Sequence, residues 1–580
     1  MCGADPGAVV MDSLGVLSHN SSVPSLAEDP ETVIELNAAL ERYDARWKQR
    51  QAPCDMTELE ETLGFTPVGI DSMLSLYPEV RMTFFSETLP FIVQCASQLE
   101  VQTSPSHAFT KLSQGSRASI RMPRHTVLSL LAHMFLCTTD ALSRGPTMPD
   151  VSFARLLSSR CFSEVAKLRM VVEYFNKVKD EGVAYLQGDL RVHRLVRERR
   201  TTKDLRDAWL RSEQPLLEME VEEQHVGLED PERGKSCLHV DFANMMLGGG
   251  VLCGGSVQEE IRFAICPELM AAMLVCPFMM EHEAIHVIGA EQFSEYSGYG
   301  GSLTFSGRHN GGHMERDSDG TPLVAITAMD ALDFRYADNA LKVQMHIKHM
   351  LRELEKATAA FMPPEICDEE AMSTVATGNW GCGIFRGFAP LKAVLQWMAA
   401  SEVGRCVRYF PYNEPIGVEL REFSKRLQEE GITVGQLFAA MLSVAPLAAA
   451  TAEAFVAENF LNLLERRVFG EEAPWIEHES FNEQPMHEEK LLPPPTGTFS
   501  LREPATLALP PPTTSFALPP TTTFTLPAAP PTGTFMLPMV PPTTTFTLPA
   551  APSIGSHVFP CGLPGSFTEE LQTGGQPVTA

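Results

Sequence analysis

Between about residues 56 and 190, apolar positions recur at intervals of three and four. The pattern is clearest in TVLSLLAHMFLCTTDAL from Thr126 and SEVAKLRMVVEYFNKVK from Ser163. That spacing predicts helices with one face turned to a core. From about 236 to 415 the pattern changes. Short apolar runs appear at LHVDFA (238), AIHVIG (284), LVAITAM (323), STVATG (373) and CVRYF (406). Between them lie helical stretches such as VQEEIRFAICPELMAAMLV, NALKVQMHIKHMLRELEKATAAF and PLKAVLQWMAAS. Alternating strands and helices predict an α/β core with a mixed or parallel sheet, whose ligands sit where loops leave the strand ends.

The ends of the chain read differently. Residues 1–55 are polar, acidic and weakly periodic, which predicts a flexible or loosely docked segment with a helix around ETVIELNAALERYDARW. The apolar stretch LFAAMLSVAPLAAATAEAFV from Leu437 is interrupted by Pro446 and predicts a buried helical pair rather than a membrane span. Residues 471–580 carry PPPTTSFAL-type repeats with phenylalanines at 499, 516, 524, 535 and 546. Proline at that density opposes helix and ladder, so the tail is expected to be disordered, with short motifs available to protein partners. The resulting division is 1–55 flexible, 56–200 a helical accessory domain, 201–470 the α/β domain and 471–580 the tail.

Composition refines this picture. The net charge of −28 argues against a general nucleic-acid binder, so no direct DNA binding is expected. The 13 cysteines are odd in number and include no CxxC pair, which fits reduced thiols in a nuclear or cytoplasmic protein. The first residues lack the basic region of a secretory leader, so a soluble protein without membrane attachment is expected.

The segment richest in chemistry is VDFANMMLGGGVLCGGSVQEEIRF, residues 240–263. Gly248, Gly249 and Gly250 permit close backbone approach, and Ser256 is a candidate N-cap for a helix opening with Gln258, Glu259 and Glu260. A glycine loop beside a helix N-terminus offers amide donors to phosphate, whereas two adjacent carboxylates suit sugar chemistry better. Glutamates in a first turn also satisfy the helix dipole, so these residues alone leave both a structural and a catalytic reading open.

GGG followed by QEE resembles the signature of the poly(ADP-ribose) glycohydrolases, and so do its neighbours in order. These are VDFAN, IRF, EQFSEYSGYG from Glu291, AMDAL from Ala328 and VATGNWGCG from Val375, preceded by SLLAHMFLCT and PDVSFARL. The likeness spans roughly residues 60–415. It implies a macrodomain-type mixed sheet flanked by helices, with a helical extension, and hydrolysis of ribose–ribose bonds in poly(ADP-ribose) carried on modified proteins. No cofactor or metal is implied. By the same resemblance Glu260 would be the general acid, and Glu259 would hold ribose hydroxyls. Gln258 and Asn244 would bond around the ribose, and Asp241 and Phe242 would frame the adenine. Gly248–Gly250 and the backbone around Gly383 would cradle the diphosphate, Tyr299 would close over the ligand, and Phe385 would pack on the terminal ribose. Arg386, Gly387 and Phe388 depart from the family pattern, which puts the loop near the diphosphate in question. The alternative is a module that binds ADP-ribose without cleaving it while its tail recruits partners; such a module would have no need of both carboxylates.

Two further segments compete for attention. HEAIHVIG, residues 282–289, matches the HExxH pattern of zinc peptidases. However, AIHVIG predicts a strand, on which His282 and His286 would lie about 13 Å apart, too far to share a metal ion. Gln292 also stands where a third histidine would follow. The basic run RVHRLVRERRTTK, residues 191–203, is expected to be a solvated face.

Overall fold

The computed structural model describes residues 33–470 apart from 49–51, 105, 224–226, 230–235, 311–314, 338–339, 364–372, 413–414 and 450–452. The expectation of a disordered tail concerns residues outside this set. The packed part begins earlier than residue 56. Val33–Glu35 pairs with Ala108–Thr110, and the segment that follows buries Tyr43 and Trp47.

Eight strands form the main sheet: β1 (Ala118–Pro123), β2 (Asp189–Val196), β3 (Met219–Val221), β4 (Cys237–Asp241), β5 (Glu283–Ile288), β6 (Ala325–Ala328), β7 (Thr374–Gly378) and β8 (Cys406–Phe410). Their order is β1-β2-β5-β6-β4-β7-β8-β3. Strands β6, β4, β7, β8 and β3 run parallel, while β1, β2 and β5 are antiparallel to their neighbours. All five apolar runs of the α/β segment are thus strands. The parallel block brings Asp241, Ala328, Gly378 and Phe410 to one sheet edge, where the loops carrying the candidate chemistry emerge.

Both faces of the sheet are covered, and side-chain alternation sorts the residues between them. On β5, Ile285 and Val287 join one core with helices α1 (Arg124–Phe135) and α2 (Phe162–Glu181). Ala284 and Ile288 join the other, under α4 (Ile347–Phe361), α5 (Ala389–Glu402), α6 (Val434–Ala449) and α7 (Glu453–Val468). The helical extension is therefore the cover of one sheet face.

Several expectations need amending. The extension is not all-α, since β1 and β2 come from it and enlarge the sheet. Half of the basic run is not solvated. Arg191 and Arg194 sit on buried β2, where Asp317 and Glu283 neutralise them. Interleaved arginine and histidine hide the strand period, and their partners lie far away in sequence. The apolar stretch from Leu437 is a helical pair, but Pro446 lies within α6, whose end falls at Ala449. Among the described residues, no helix is long and apolar enough to cross a membrane.

Candidate active site

The glycine loop leaves β4 and ends at helix α3 (Gln258–Ile265). The cap of α3 is Val257, one residue later than the expected Ser256. The reason is Glu260, whose Oε2 accepts the Val257 N–H at 2.9 Å, a third-residue carboxylate reaching back to the cap. The helix is also shorter than the apolar pattern implies. Pro267 disfavours helical backbone at Cys266, and the chain continues as a 3₁₀ turn over Pro267–Leu274.

Both glutamates turn back onto the loop. Glu259 accepts the N–H of Asn244 at 2.8 Å and of Gly248 at 2.7 Å. Glu260 accepts that of Gly250 at 2.8 Å as well as that of Val257. Gln258 fixes the strand end, its Oε1 accepting from Phe242 N–H at 2.9 Å while its amide donates to Val240 O at 3.3 Å. Asn244 Oδ1 accepts from Met246 N–H at 3.0 Å and closes the turn. Gly249, at φ 49°, has no room for a side chain: a Cβ there would lie 2.5 Å from a Glu259 oxygen and 2.6 Å from a Glu260 oxygen. The glycines thus admit the paired carboxylates to the backbone, a use additional to the close ligand approach anticipated from sequence.

The acid pair is nearly sealed, Glu259 being 3% and Glu260 6% exposed. Asp241, at the end of β4, is fully buried, and neither of its carboxyl oxygens has a hydrogen-bond partner. Burial, followed by repulsion from Glu260, pushes the Asp241 carboxyl well above the usual carboxylate range. Burial and the charges of Asp241 and Glu260 do the same to Glu259, outweighing its amide bonds. Asp241 and Glu259 therefore hold a proton more tightly than exposed carboxyls do, and they surround Glu260 with acidic groups out of water.

Loops from the neighbouring strands surround the cluster. Tyr299 is 48% exposed, and its hydroxyl interacts with the Gln258 backbone and feels the Glu260 charge. The loop carrying it is tied down where Gly300 N–H donates to Ser256 O at 2.8 Å. After β7, Trp380 Nε1 donates to Met329 O at 2.9 Å, and Asn379 Nδ2 donates to Pro411 O at 2.7 Å, so three strand ends are laced together. Gly383 is exposed in this loop with open space around it. Gly381 is the constrained glycine, at φ 72° with Ala331 Cβ 2.5 Å from where its own Cβ would be. Phe385 is half-buried, with the Arg335 guanidinium 5.6 Å from its ring centre. The departing residues are accommodated by Gln344, which donates to Arg386 O at 3.1 Å and accepts from Phe388 N–H at 2.7 Å. Arg386 itself is exposed, at φ 56°.

Sequence reasoning missed Lys167. It lies on α2, is fully buried, and donates to the carbonyls of Gly250 at 3.2 Å, Cys253 at 2.5 Å and Gly255. The available signal was a lysine in the stretch EVAKLRMVV, where charged and apolar residues alternate along a helix expected to be buried.

The HExxH segment is a strand. Glu283 pairs with Arg194, and His286 Nε2 bonds to Ala360 O at 2.6 Å. Among the described residues no group of three or more His, Cys, Asp or Glu is placed to hold a metal ion.

The sequence matches two family descriptions. Residues 206–416 match "Poly (ADP-ribose) glycohydrolase (PARG), Macro domain fold", and residues 76–194 match "Poly (ADP-ribose) glycohydrolase (PARG), helical domain". The chain belongs to this family. Among its poly(ADP-ribose) glycohydrolase relatives, the Caenorhabditis elegans protein 1 is 34% identical over 56% of this chain and 40% of its own length. The C. elegans protein 2 is 31% identical over 55% of this chain and 63% of its own. The Arabidopsis thaliana protein 1 is 27% identical over 72% and 90%. The chain thus spans less than two thirds of the two nematode glycohydrolases. The 206–416 match begins after β2, so the sheet draws its two outer antiparallel strands from the segment that includes the helical-domain match.

Proposed function

We propose that this chain hydrolyses the ribose–ribose O-glycosidic bonds of poly(ADP-ribose) and releases ADP-ribose. The observation that carries the reading is the buried Glu259–Glu260 pair, oriented by loop amides at the end of a central parallel strand, in a chain of this family. Each carboxylate oxygen that takes one amide keeps a second lone pair for substrate. Glu260 protonates the departing 2′ oxygen, and its carboxylate then activates water against the oxocarbenium-like carbon. Glu259 accepts the ribose hydroxyls and orients the bond. Gln258 and Asn244 set the ribose environment, while Asp241 and Phe242 at the strand end frame the adenine. The side-chain-free backbone of Gly248–Gly250 lets the diphosphate approach closely, and the backbone around Gly383 cradles it from the other side. Tyr299 closes over the ligand, and Phe385 packs on the terminal ribose.

Acid–base catalysis contributes about 10²–10⁴-fold, so positioning by this shell supplies much of the remainder. The test is incubation of the purified protein with poly(ADP-ribose), with free ADP-ribose followed chromatographically. Accumulation of ADP-ribose is expected. Intact polymer, with ADP-ribose binding still measurable by calorimetry, would make the chain a reader of the polymer instead.

A further inference from the structure

The glycine loop has two polar sides. Its amides at Asn244, Gly248, Gly250 and Val257 point to the carboxylates, while its carbonyls at Gly250, Cys253 and Gly255 converge on the Lys167 ammonium. An ammonium has three N–H donors, and each of these finds one carbonyl, so the lysine is fully satisfied without an ion pair. The Gly250 residue is held from both sides, its N–H on Glu260 and its oxygen on Lys167.

We propose that Lys167 is a positioning residue of the active site. Through it the helical extension clamps the 248–257 loop and so fixes the direction in which Glu260 faces the substrate. The inference rests on the glycohydrolase reading for its effect on turnover, but the clamp itself can be tested without turnover.

Two features make the lysine more than a packing device. It is buried at considerable cost: desolvation pulls its ammonium down to about 8, opposed mainly by the charges of Glu260 and Glu164. A methionine would fill the same volume without that cost, so the charge must be held there by what it contacts. The loop's own glycines cannot hold its shape either, since Gly248 and Gly249 occupy left-handed backbone and gain nothing from side-chain packing.

The test compares Lys167→Met and Lys167→Arg with wild type by hydrogen exchange, turnover and ADP-ribose calorimetry. In Lys167→Met the amides of Gly248, Gly250 and Val257 should exchange faster, while β4 amides keep their protection. Turnover should fall about 10²-fold, the cost of a misplaced catalytic group, with ADP-ribose affinity changed far less. Lys167→Arg, which keeps the charge, should recover part of the rate. A double variant with Glu260→Gln should be no slower than Glu260→Gln alone, because the lysine acts through that glutamate. Unchanged loop exchange in folded Lys167→Met, or a loss confined to thermal stability with normal turnover, would overturn the clamp. If Lys167→Met does not fold, loop exchange in Lys167→Gln decides, since its amide has too few donors for the three carbonyls, and wild-type protection there would count against the proposal. Wild type that releases no ADP-ribose would instead sink the functional reading, and the loop exchange would still decide the clamp.

Discussion

Glu283 and the pair Glu259–Glu260 are all buried glutamates that accept backbone amides, and each lies in a stretch that resembles a catalytic motif. Glu283 takes the N–H of Gly115 at 2.5 Å and of Met280 at 2.9 Å, but it also pairs directly with the fully buried Arg194. The acid pair takes four amides, and Lys167 touches carbonyls of the same loop rather than either carboxylate. In the first arrangement the charge is quenched in place and the carboxylate serves the fold. In the second the carboxylates are oriented by amides rather than by an ion pair, so burial raises the proton affinity of Glu259 and lone pairs stay available on both. Where the counter-charge sits therefore distinguishes Glu283 from the proposed catalytic pair more clearly than burial does.

The comparison can be pressed hardest at the pair itself. Glu259→Gln should lower turnover by about 10²-fold or more and also weaken ADP-ribose binding, as both rates and calorimetry would register. Gly249→Ala comes next. Its Cβ would collide with both carboxylates, so about 10²-fold in rate should be lost, with a melting temperature lowered by the strain but by less than in Glu283→Gln. Glu283→Gln should show the reverse pattern. Arg194 would be left buried without its partner, costing about 3–5 kcal/mol in chemical denaturation, with turnover per folded molecule retained. Normal stability in Glu283→Gln would erase the distinction drawn above.

A smaller effect is expected at Asp241. Because its folded carboxyl is raised, the folded state holds the proton more tightly than the unfolded chain does. Its contribution to stability is complete below the unfolded value and is lost as pH rises through the folded one. Asp241→Asn should therefore match wild type in acid and exceed it in stability at alkaline pH, as melting curves across pH would reveal. The smallest effect is expected from chelation. With His286 bonded to Ala360 on a strand, a chelator should leave the melting temperature unchanged.

Much of the architecture was legible because apolar runs bounded by glycine and polar turns mark buried strands whichever partners they find. That is how the five strands from LHVDFA to CVRYF, and the strand rather than helix at AIHVIG, could be read from sequence. Strand β2 could not, because Arg191, His193 and Arg194 look solvated until Asp317 and Glu283 arrive from more than 80 residues away. At the site, the GGG and QEE segments stood out through residue type and spacing. Lys167 did not, because its role depends on three carbonyls that no side-chain pattern encodes. Ser256 lost the cap position for a related reason, since Glu260 reaches back to Val257 only once the loop has folded.

The most direct test of the central claim measures single-turnover release of ADP-ribose from purified polymer by wild type and Glu260→Gln side by side, with ADP-ribose affinity determined for both. Release by wild type, nearly abolished in Glu260→Gln at unchanged affinity, is the predicted result. Comparable release by the two proteins would contradict it and move the acid elsewhere in the site.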